Sequence, residues 1–321
     1  MELAIVSLNE LMAEVMQNTS VQDKIAIYRT HASIGDSISY KDPFHLSASG
    51  KIEIGDDCAA IPDGHGGYLL FASEGIIPTF VNAHPWFAGY SAVLVNISDV
   101  CAMGGLPMAL TDVLWLKDNE DGEQIWEGMK AASEAYGIPI VGGHTCYHSD
   151  KKHIAVSILG KANKLLTSYD AAPDDVLLMI IDLGGSYFEN YPFWNASTEA
   201  GPEKLRHNMG LLRQVAENGW SKAAKDISMG GVIGTLAMLM HTSKVGANLD
   251  LDAVPKPMDV ALVKWLISFP SYGFLLTAKQ EHVANIIDLF QENQIACAPI
   301  GKIKAEAGLT VSFQDEVTRV I

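Results

Sequence analysis

Five carboxylates stand beside glycines or at the ends of apolar segments, where a polypeptide can line a cleft. They are Asp56, Asp57, Glu74, Asp99 and Asp226. Adjacent carboxylates such as Asp56 and Asp57, set within an apolar segment, repel each other and lose hydration, so they require cations nearby. Oxygen ligands of this kind suit Mg²⁺, which takes one or two carboxylates together with substrate phosphates. The five together predict a magnesium site that neutralises a polyphosphate, whereas each one alone is more typical of a solvated turn.

Asn96 and Asp99 lie in the apolar segment 90–107, whose periodicity is that of a helix. The preceding residues 78–89 are predicted to form a loop. Because residues three apart project from one side of a helix, an amide and a carboxylate are held side by side. Gly104 and Gly105 are predicted to end this helix, and Pro107 prevents its resumption. A polar stripe facing solvent is the alternative interpretation of this pair.

Gly230 and Gly231 follow Asp226 just before a helix predicted over residues 232–241. Helix N-termini favour anions, and glycines allow backbone N–H groups to approach a phosphate closely. The segment therefore predicts a phosphate contact.

A second glycine pair, Gly142 and Gly143, comes directly after a short strand predicted over residues 139–141. Zinc is one interpretation of this region, although the spacing fits a strand end and a loop poorly. The residues concerned are His144, Cys146, His148 and His153. The familiar nucleotide motifs are missing, since the chain has neither a G-x-x-x-x-G-K-[ST] loop nor a dinucleotide fingerprint.

Composition excludes several classes of protein. The 321 residues are 48% apolar and carry a net charge of −16, which argues against nucleic acid or an anionic membrane as partner. No window approaches the roughly 18 to 20 apolar residues of a membrane span, and no basic region precedes the first apolar residues. The four cysteines have no C-x-x-C spacing and favour a reducing compartment over a disulfide framework. We therefore expect a cytoplasmic protein.

Helical and strand patterns alternate along the chain and predict a mixed α/β protein of two domains. Residues 1–50 are predicted to hold two helices, the first capped by Ser7, and a long loop over 31–50. Residues 51–165 form the first α/β domain and residues 166–321 the second.

Four motifs occur in the order and spacing of the aminoimidazole ribonucleotide synthetase superfamily. They are Ile54-Gly-Asp-Asp-Cys-Ala-Ala, Asn96-Ile-Ser-Asp-Val-Cys-Ala-Met-Gly-Gly-Leu-Pro, Val141-Gly-Gly-His-Thr and Lys225-Asp-Ile-Ser-Met-Gly-Gly. From about Gly55 to its C-terminus the chain resembles this superfamily. Its members include thiamine-monophosphate kinase, selenophosphate synthetase, a carbamoyl-dehydrating hydrogenase maturation factor and formylglycinamidine ribonucleotide synthetase.

The resemblance implies a PurM-like architecture, in which the mixed sheet and helices of the N-terminal domain form a barrel in a homodimer and an α/β domain follows. It implies ATP and Mg²⁺ as cofactors and attack of a substrate oxygen on the γ-phosphate. Asp56 and Asp99 are the implied catalytic residues. The implied metal ligands are Asp56, Asp57, Glu74, Asp99 and Asp226, and the implied nucleotide contacts are Asn96, Gly142, Gly143, His144, Thr145, Gly230 and Gly231.

Three departures bear on the reaction. The thiamine-phosphate kinases have an aspartate where this chain has His144 and another where it has Glu74, so the number of cations stays open. The segment Phe269-Pro-Ser-Tyr-Gly-Phe also differs from theirs, which weakens a direct assignment to thiamine. Our hypothesis is an ATP- and Mg²⁺-dependent phosphotransferase or ATP-driven ligase acting on a small substrate. Thiamine-monophosphate kinase is one alternative, and a catalytically silent nucleotide-binding partner is the other.

Overall fold

The structure, a computed structural model, describes residues 7–27, 54–118 and 122–321 of the chain. Its contacts divide these residues into two units. The five-stranded unit lies within Asp57–Leu165 and Ser197–Glu217, and the seven-stranded unit comprises residues 7–27, 54–56, 166–196 and 218–321. Both units mix helices with strands, which confirms the predicted α/β class. The loop predicted over 31–50 lies outside the described residues.

Residues 7–27 are helical, as the sequence predicts. Helix α1 spans Leu8–Gln17, and residues 19–27 belong to a second helix, α2. The Glu10 backbone N–H donates to Ser7 Oγ over 3.3 Å, and the Ser7 backbone N–H donates to the Glu10 carboxylate over 3.0 Å. This reciprocal capping box satisfies two amide groups at the start of the helix and confirms Ser7 as the cap.

The sheet of the five-stranded unit has the order β1-β2-β5-β3-β4. Strands β3 and β4 are parallel, and the other neighbours are antiparallel. Strand β4 is therefore an edge strand. The elements of this unit are β1 (Ala59–Pro62), β2 (Tyr68–Ile76), α3 (Pro78–Ala83), α4 (Pro85–Ala102), β3 (Leu106–Trp115), α5 (Glu123–Tyr136), β4 (Ile140–Cys146), β5 (His153–Ala162), α6 (Pro202–Asn208) and α7 (Leu211–Glu217).

The sequence patterns predict a loop over residues 78–89, and this prediction is wrong because these residues are largely helical. Helix α3 begins at Pro78 and helix α4 at Pro85, well before Tyr90. Both prolines occupy the first turn of a helix, where the missing N–H costs no hydrogen bond. Proline acts here as a helix start signal.

The seven-stranded unit is built on a sheet of order β15-β14-β10-β13-β6-β12-β9. Its core includes Trp265 from a short helix and Leu8, Leu11 and Val15 from α1, all at most 5% exposed. The elements are β6 (Val176–Ile181), β7 (Ser186–Tyr187), β8 (Phe193–Asn195), β9 (Ala223–Asp226), α8 (Gly231–Ser243), β10 (Gly246–Asp250), α9 (Leu262–Leu266), β11 (Phe269–Pro270), β12 (Gly273–Ala278), α10 (Gln280–Glu292), β13 (Ala296–Lys304), β14 (Gly308–Phe313) and β15 (Glu316–Arg319).

The segment Ser197–Glu217 groups with the five-stranded unit, although the sequence suggests a single second domain over 166–321. Its helix α6 is tied to the end of α5 by Arg206. The guanidinium donates to the carbonyl oxygen of Glu134 over 2.6 Å and to that of Ala135 over 3.1 Å. Such long-range hydrogen bonds leave no trace in local sequence periodicity.

Helices α4 and α5 pack at very short range through two glycines. A side-chain carbon at Gly89 would overlap the backbone carbonyl of Ile125, and one at Gly128 would overlap the carbonyl of Trp86. Backbone atoms cannot move aside without shifting a whole helix. The absence of a side chain at both positions therefore sets the distance between the helices.

We expect Gly128→Ala to destabilise the protein by about 2–3 kcal/mol, because overpacking forces the two helices apart. Gly201→Ala is the matched control, since Gly201 has no atom within 4 Å of the position that a side chain would take. Denaturant unfolding of both variants measures the difference. Equal stability of the two would show that the helix contact is not as tight as the structure indicates.

No helix within the described residues is both long and apolar enough to span a bilayer. All four cysteines carry free thiols. Burial raises the pKa of the Cys297 thiol to about 12, so this thiol is unreactive near neutral pH.

Candidate functional site

A cleft of about 880 Å³ lies in the five-stranded unit, along helix α5 and the edge strand β4. Its lining includes Gly142, Gly143, His144 and Thr145, so the structure brings the four predicted nucleotide contacts of this motif together. These residues lie inside β4 rather than after a short strand. The remaining lining residues are Asp112, Glu123, Trp126, Glu127, Lys130, Ser133, Pro139 and Ile140.

Asp112 is a member of this lining that the sequence patterns did not indicate. It lies in β3, is only 2% exposed, and neither carboxylate oxygen has a hydrogen-bond partner in the described part of the chain. Burial raises the pKa of the Asp112 carboxyl to about 6, because the charged form loses hydration. A buried carboxylate without a partner is costly, which makes it a candidate for ligand binding.

Gly143 is directly opposite Asp112 in the parallel pair of β3 and β4. A side-chain carbon at Gly143 would overlap the carboxylate of Asp112. At Gly142, by contrast, the nearest atom is a methyl carbon of Thr111 at 3.9 Å. The Asp112 carboxylate therefore occupies the side-chain space of Gly143.

Negative charge dominates the cleft. Besides Asp112, it contains the exposed carboxylates of Glu123 and Glu127 on α5. The Lys130 ammonium lies 3.7 Å from a carboxylate oxygen of Glu134 in an exposed pair. Trp126, 41% exposed, adds an aromatic surface to the same wall. A polyanion entering this cleft meets an excess of carboxylates, and a cation is required to offset their repulsion.

A second pair of carboxylates lies elsewhere in the same unit. One carboxylate oxygen of Asp57 and one of Asp99 lie within 4.8 Å of each other, and Asp99 is 6% exposed. Burial and, secondly, the charge of Asp99 raise the pKa of the Cys101 thiol to about 12. Two close carboxylates, one buried and one half-buried, fit a divalent cation.

Asp56 and Glu74 have different surroundings. The Ser168 backbone N–H donates to both carboxylate oxygens of Asp56, over 2.9 and 3.1 Å. Glu74 is exposed on β2, and its register partner Val156 is also the partner of Asp112. Because paired residues of antiparallel strands share a face, Glu74 and Asp112 lie in one row, two strands apart.

Asn96 is fully buried in α4. Its side-chain N–H group donates to the Ala92 carbonyl over 2.8 Å, while Asn96 Oδ1 has no hydrogen-bond partner in the described part of the chain. Asn96 and Asp99 therefore do not form a stripe that faces solvent, since both side chains are buried.

Asp226 ends β9 in the seven-stranded unit and is 6% exposed. Gly230 and Gly231, which follow it, are buried and have φ angles of 90° and 59°. A side-chain carbon at Gly231 would overlap the backbone of Leu266 and the following residue. Close packing is thus a sufficient reason for the glycine at position 231, and the predicted phosphate contact of the pair stays a prediction.

The zinc interpretation finds no support among the described residues. His144, Cys146, His148 and His153 do not form a group of three with ligand atoms close enough to share a metal ion.

Asp112→Asn is expected to stabilise the protein above pH 6. Folding raises the pKa of this carboxyl from 3.8 to about 6. Between these two pH values the folded protein therefore binds more protons than the unfolded protein. The free energy of unfolding therefore falls as pH rises through this window. The total loss is at most about 3 kcal/mol, since each unit of pKa shift corresponds to ~1.4 kcal/mol. The neutral, isosteric amide lacks this penalty, so the gain from the substitution should be near zero at pH 4 and largest above pH 6.

Urea unfolding at a series of pH values measures this difference. Glu134→Gln makes the same charge change on the exposed face of α5 and is expected to have little effect at any pH. A gain that does not grow between pH 4 and 6 would show that Asp112 is well solvated or paired.

Comparison with known proteins identifies the family. Residues 55–162 match the N-terminal domain of the AIR synthase related proteins, and residues 172–314 match the C-terminal domain of the same family. The two matches cover more than half of the chain, so the chain belongs to the AIR synthase related protein family. The resemblance seen in the four sequence motifs is thereby confirmed.

Several curated proteins are similar over most of their length. Uncharacterized protein sll0787 of Synechocystis sp. is 47% identical over 266 residues, which is 83% of this chain and 82% of that protein. MJ0640 of Methanocaldococcus jannaschii is 35% identical over 264 residues, 81% and 82% of the two chains. The thiamine-monophosphate kinase of Pyrococcus horikoshii is 26% identical over 287 residues, 83% of this chain and 88% of the kinase.

Two solved structures establish the fold. T. maritima PurL complexed with ATP matches 97% of this chain with a TM-score of 0.71 and 20% identity. The match covers 53% of PurL, so this chain spans about half of that protein. AaThiL complexed with AMPPCP and TMP matches 84% of this chain and 92% of its own length, with a TM-score of 0.62 and 20% identity. The two-domain PurM-like architecture predicted from the motifs is confirmed.

Proposed function

We propose that this chain is an ATP- and Mg²⁺-dependent enzyme that transfers the γ-phosphate of ATP to an oxygen of a small substrate. It acts as a phosphotransferase or as an ATP-driven ligase. The observation that carries the proposal is the cleft, whose lining contains the whole motif Gly142, Gly143, His144 and Thr145. The nucleotides named for the solved PurL and ThiL complexes support a nucleotide in this cleft.

In this proposal Trp126 contacts the base of the nucleotide, and the glycine motif contacts its phosphates. The exposed indole of Trp126 offers a face on which a base stacks. At Gly142 the position of a side chain is open, with a methyl carbon of Thr111 at 3.9 Å as its nearest atom, so a phosphate can come close to the strand there. His144 and Thr145 also line the cleft, with their side chains on opposite faces of the edge strand β4. Asn96, Gly230 and Gly231, all three buried, are proposed as further nucleotide contacts on the sequence resemblance alone.

Asp57 and Asp99 are the proposed centre of magnesium binding, because their oxygens lie within 4.8 Å of each other. Mg²⁺ held there supplies positive charge for the transferring phosphoryl group. Asp56, Glu74 and Asp226 are proposed as further ligands on the sequence resemblance alone, and Asp56 and Asp99 keep their proposed catalytic roles. The residues of the chain then act by positioning the nucleotide and by neutralising charge.

Thiamine-monophosphate kinase is the second candidate. The chain covers 88% of the Pyrococcus kinase, so the two proteins have similar extents. Three departures from the kinase pattern argue against this candidate. They are His144, Glu74 and the segment Phe269-Pro-Ser-Tyr-Gly-Phe. Release of ADP that depends on thiamine monophosphate would favour this candidate over an unassigned acceptor.

A catalytically silent nucleotide-binding protein is the candidate from another class. His144 and Glu74, which replace aspartates of the kinase pattern, would then mean that metal ligands have been lost. Tight ATP binding without ADP formation across a panel of phosphorylated and amide-bearing acceptors favours this role. ADP formation with any acceptor excludes it.

A homodimer is proposed as the assembled form. One face of the five-stranded sheet exposes apolar side chains, among them Leu69, Phe71 and Leu159 at 38%, 49% and 37%. Phe71 and Leu159 are register partners, and Leu69 lies two residues along the same strand, so the three share one face. Contiguous apolar surface of this kind is typical of an interface. A second copy of the chain is the occupant that the family resemblance supports.

ATP together with Mg²⁺ is expected to raise the melting temperature of metal-stripped protein by several degrees. Ligand at a hundred times its dissociation constant stabilises a fold by about 2.7 kcal/mol. Asp99→Asn should abolish the increase because it removes a proposed metal ligand. Thermal unfolding with ATP alone, with Mg²⁺ alone and with both separates the contributions.

Two results would contradict this prediction. Equal stabilisation by ATP without metal would show that the carboxylates do not bind a cation, and the silent role would then be favoured. No shift with any combination would remove the nucleotide from the proposal. Glu134→Gln is the control, because Glu134 is exposed and lies outside both carboxylate groups.

Phe71→Lys is expected to convert the dimer to a monomer of 34.7 kDa, because a charge on the apolar face cannot be buried unpaired. Val317→Lys is the control, since Val317 is 68% exposed on β15 of the other unit. Light scattering during size-exclusion chromatography reports both masses. A monomeric wild-type protein would refute the proposed dimer.

A further inference from the structure

We propose that Asp112 anchors a divalent cation at the base of the cleft, and that phosphate oxygens of the bound nucleotide and water complete its coordination. The inference rests on the proposed nucleotide binding and adds a cation site distinct from the pair Asp57 and Asp99.

Asp112 is buried and unpaired in the part of the chain that the structure describes. The carboxylate is 98% buried and has neither a hydrogen bond nor an ion pair among the described residues. Buried carboxylates in proteins are paired or bind metals, because the loss of hydration is otherwise uncompensated. The cleft is the route by which a partner reaches it, since Asp112 is part of the lining.

Gly143 sets the position of this carboxylate. Its missing side chain is what accommodates the Asp112 carboxylate beside the strand. The Asp112 carboxylate therefore lies beside the proposed nucleotide motif, because Asp112 is paired with Gly143 in the register of β3 and β4.

The charge of the cleft indicates a cation rather than a bare phosphate. Asp112, Glu123 and Glu127 line it, against a single lysine that lies beside Glu134. A triphosphate placed against Gly143 would be repelled by the Asp112 carboxylate. A divalent cation between them removes this repulsion and replaces it with two attractions.

A single protein carboxylate is sufficient for such a site. Mg²⁺ is usually held by one or two carboxylates with substrate phosphates and several waters, rather than by a cage of protein ligands. Asp112 belongs to no group of three potential ligands among the described residues. The site therefore depends on the nucleotide, and metal binding at Asp112 should be weak without it.

The experiment counts Mn²⁺ ions bound per chain from the electron paramagnetic resonance signal of free Mn²⁺, with and without saturating AMPPCP. Wild-type protein should bind about one more ion with the analogue than Asp112→Asn does. Without the analogue the two proteins should bind equal numbers. Glu134→Gln should match the wild type in both measurements, because Glu134 is exposed and lies outside the proposed sites.

Three outcomes would overturn the inference. Equal numbers for wild type and Asp112→Asn, with AMPPCP bound to both by equilibrium dialysis, would show that Asp112 holds no cation. A loss of metal-free AMPPCP binding in Asp112→Asn would show that the carboxylate contacts the nucleotide directly through an N–H or O–H donor. Failure of wild-type protein to bind AMPPCP would remove the proposed function and this inference together. Circular dichroism confirms that each variant is folded.

Discussion

The contact between helices α4 and α5 is the constraint on which the five-stranded unit depends. Gly89 and Gly128 allow each helix to touch the backbone of the other, so their separation is fixed by main-chain atoms. Helix α4 carries Asp99, and helix α5 carries Trp126 and the other helical residues of the cleft. A change in the helix separation would therefore disturb the carboxylate pair and the cleft wall at the same time.

Local patterns in the sequence determine much of this fold. The capping box at Ser7, the helix that ends at Gly137 and the strands of both sheets follow from caps, glycines and periodicity. The prolines at 78 and 85 misled the prediction, because proline is typical of loops and of first helical turns alike. The assignment of Ser197–Glu217 to the first unit depends on long-range hydrogen bonds, which no local pattern reports.

The candidate site was predictable where a motif is continuous in the chain and unpredictable where residues meet across strands. Gly142 to Thr145 were found as a motif and line the cleft. Asp112 was missed, although a lone carboxylate in the apolar strand β3 was a signal that the sequence contained. Gly230 and Gly231 fit two causes, because close packing and phosphate binding both require glycine. Residue type alone cannot separate these two causes.

His144 and Asp112 do not substitute for each other, because the register places them differently. Asp112 is paired with Gly143, and His144 is paired with Val113. Successive residues of a strand point to opposite faces, so the His144 side chain and the Asp112 carboxylate lie on opposite faces of the sheet. The Asp112 face carries the row that also contains Glu74, whereas the His144 face carries the exposed apolar residues. A carboxylate at position 144 would thus lie on the opposite face of the sheet from Asp112, so the charge of Asp112 cannot replace it.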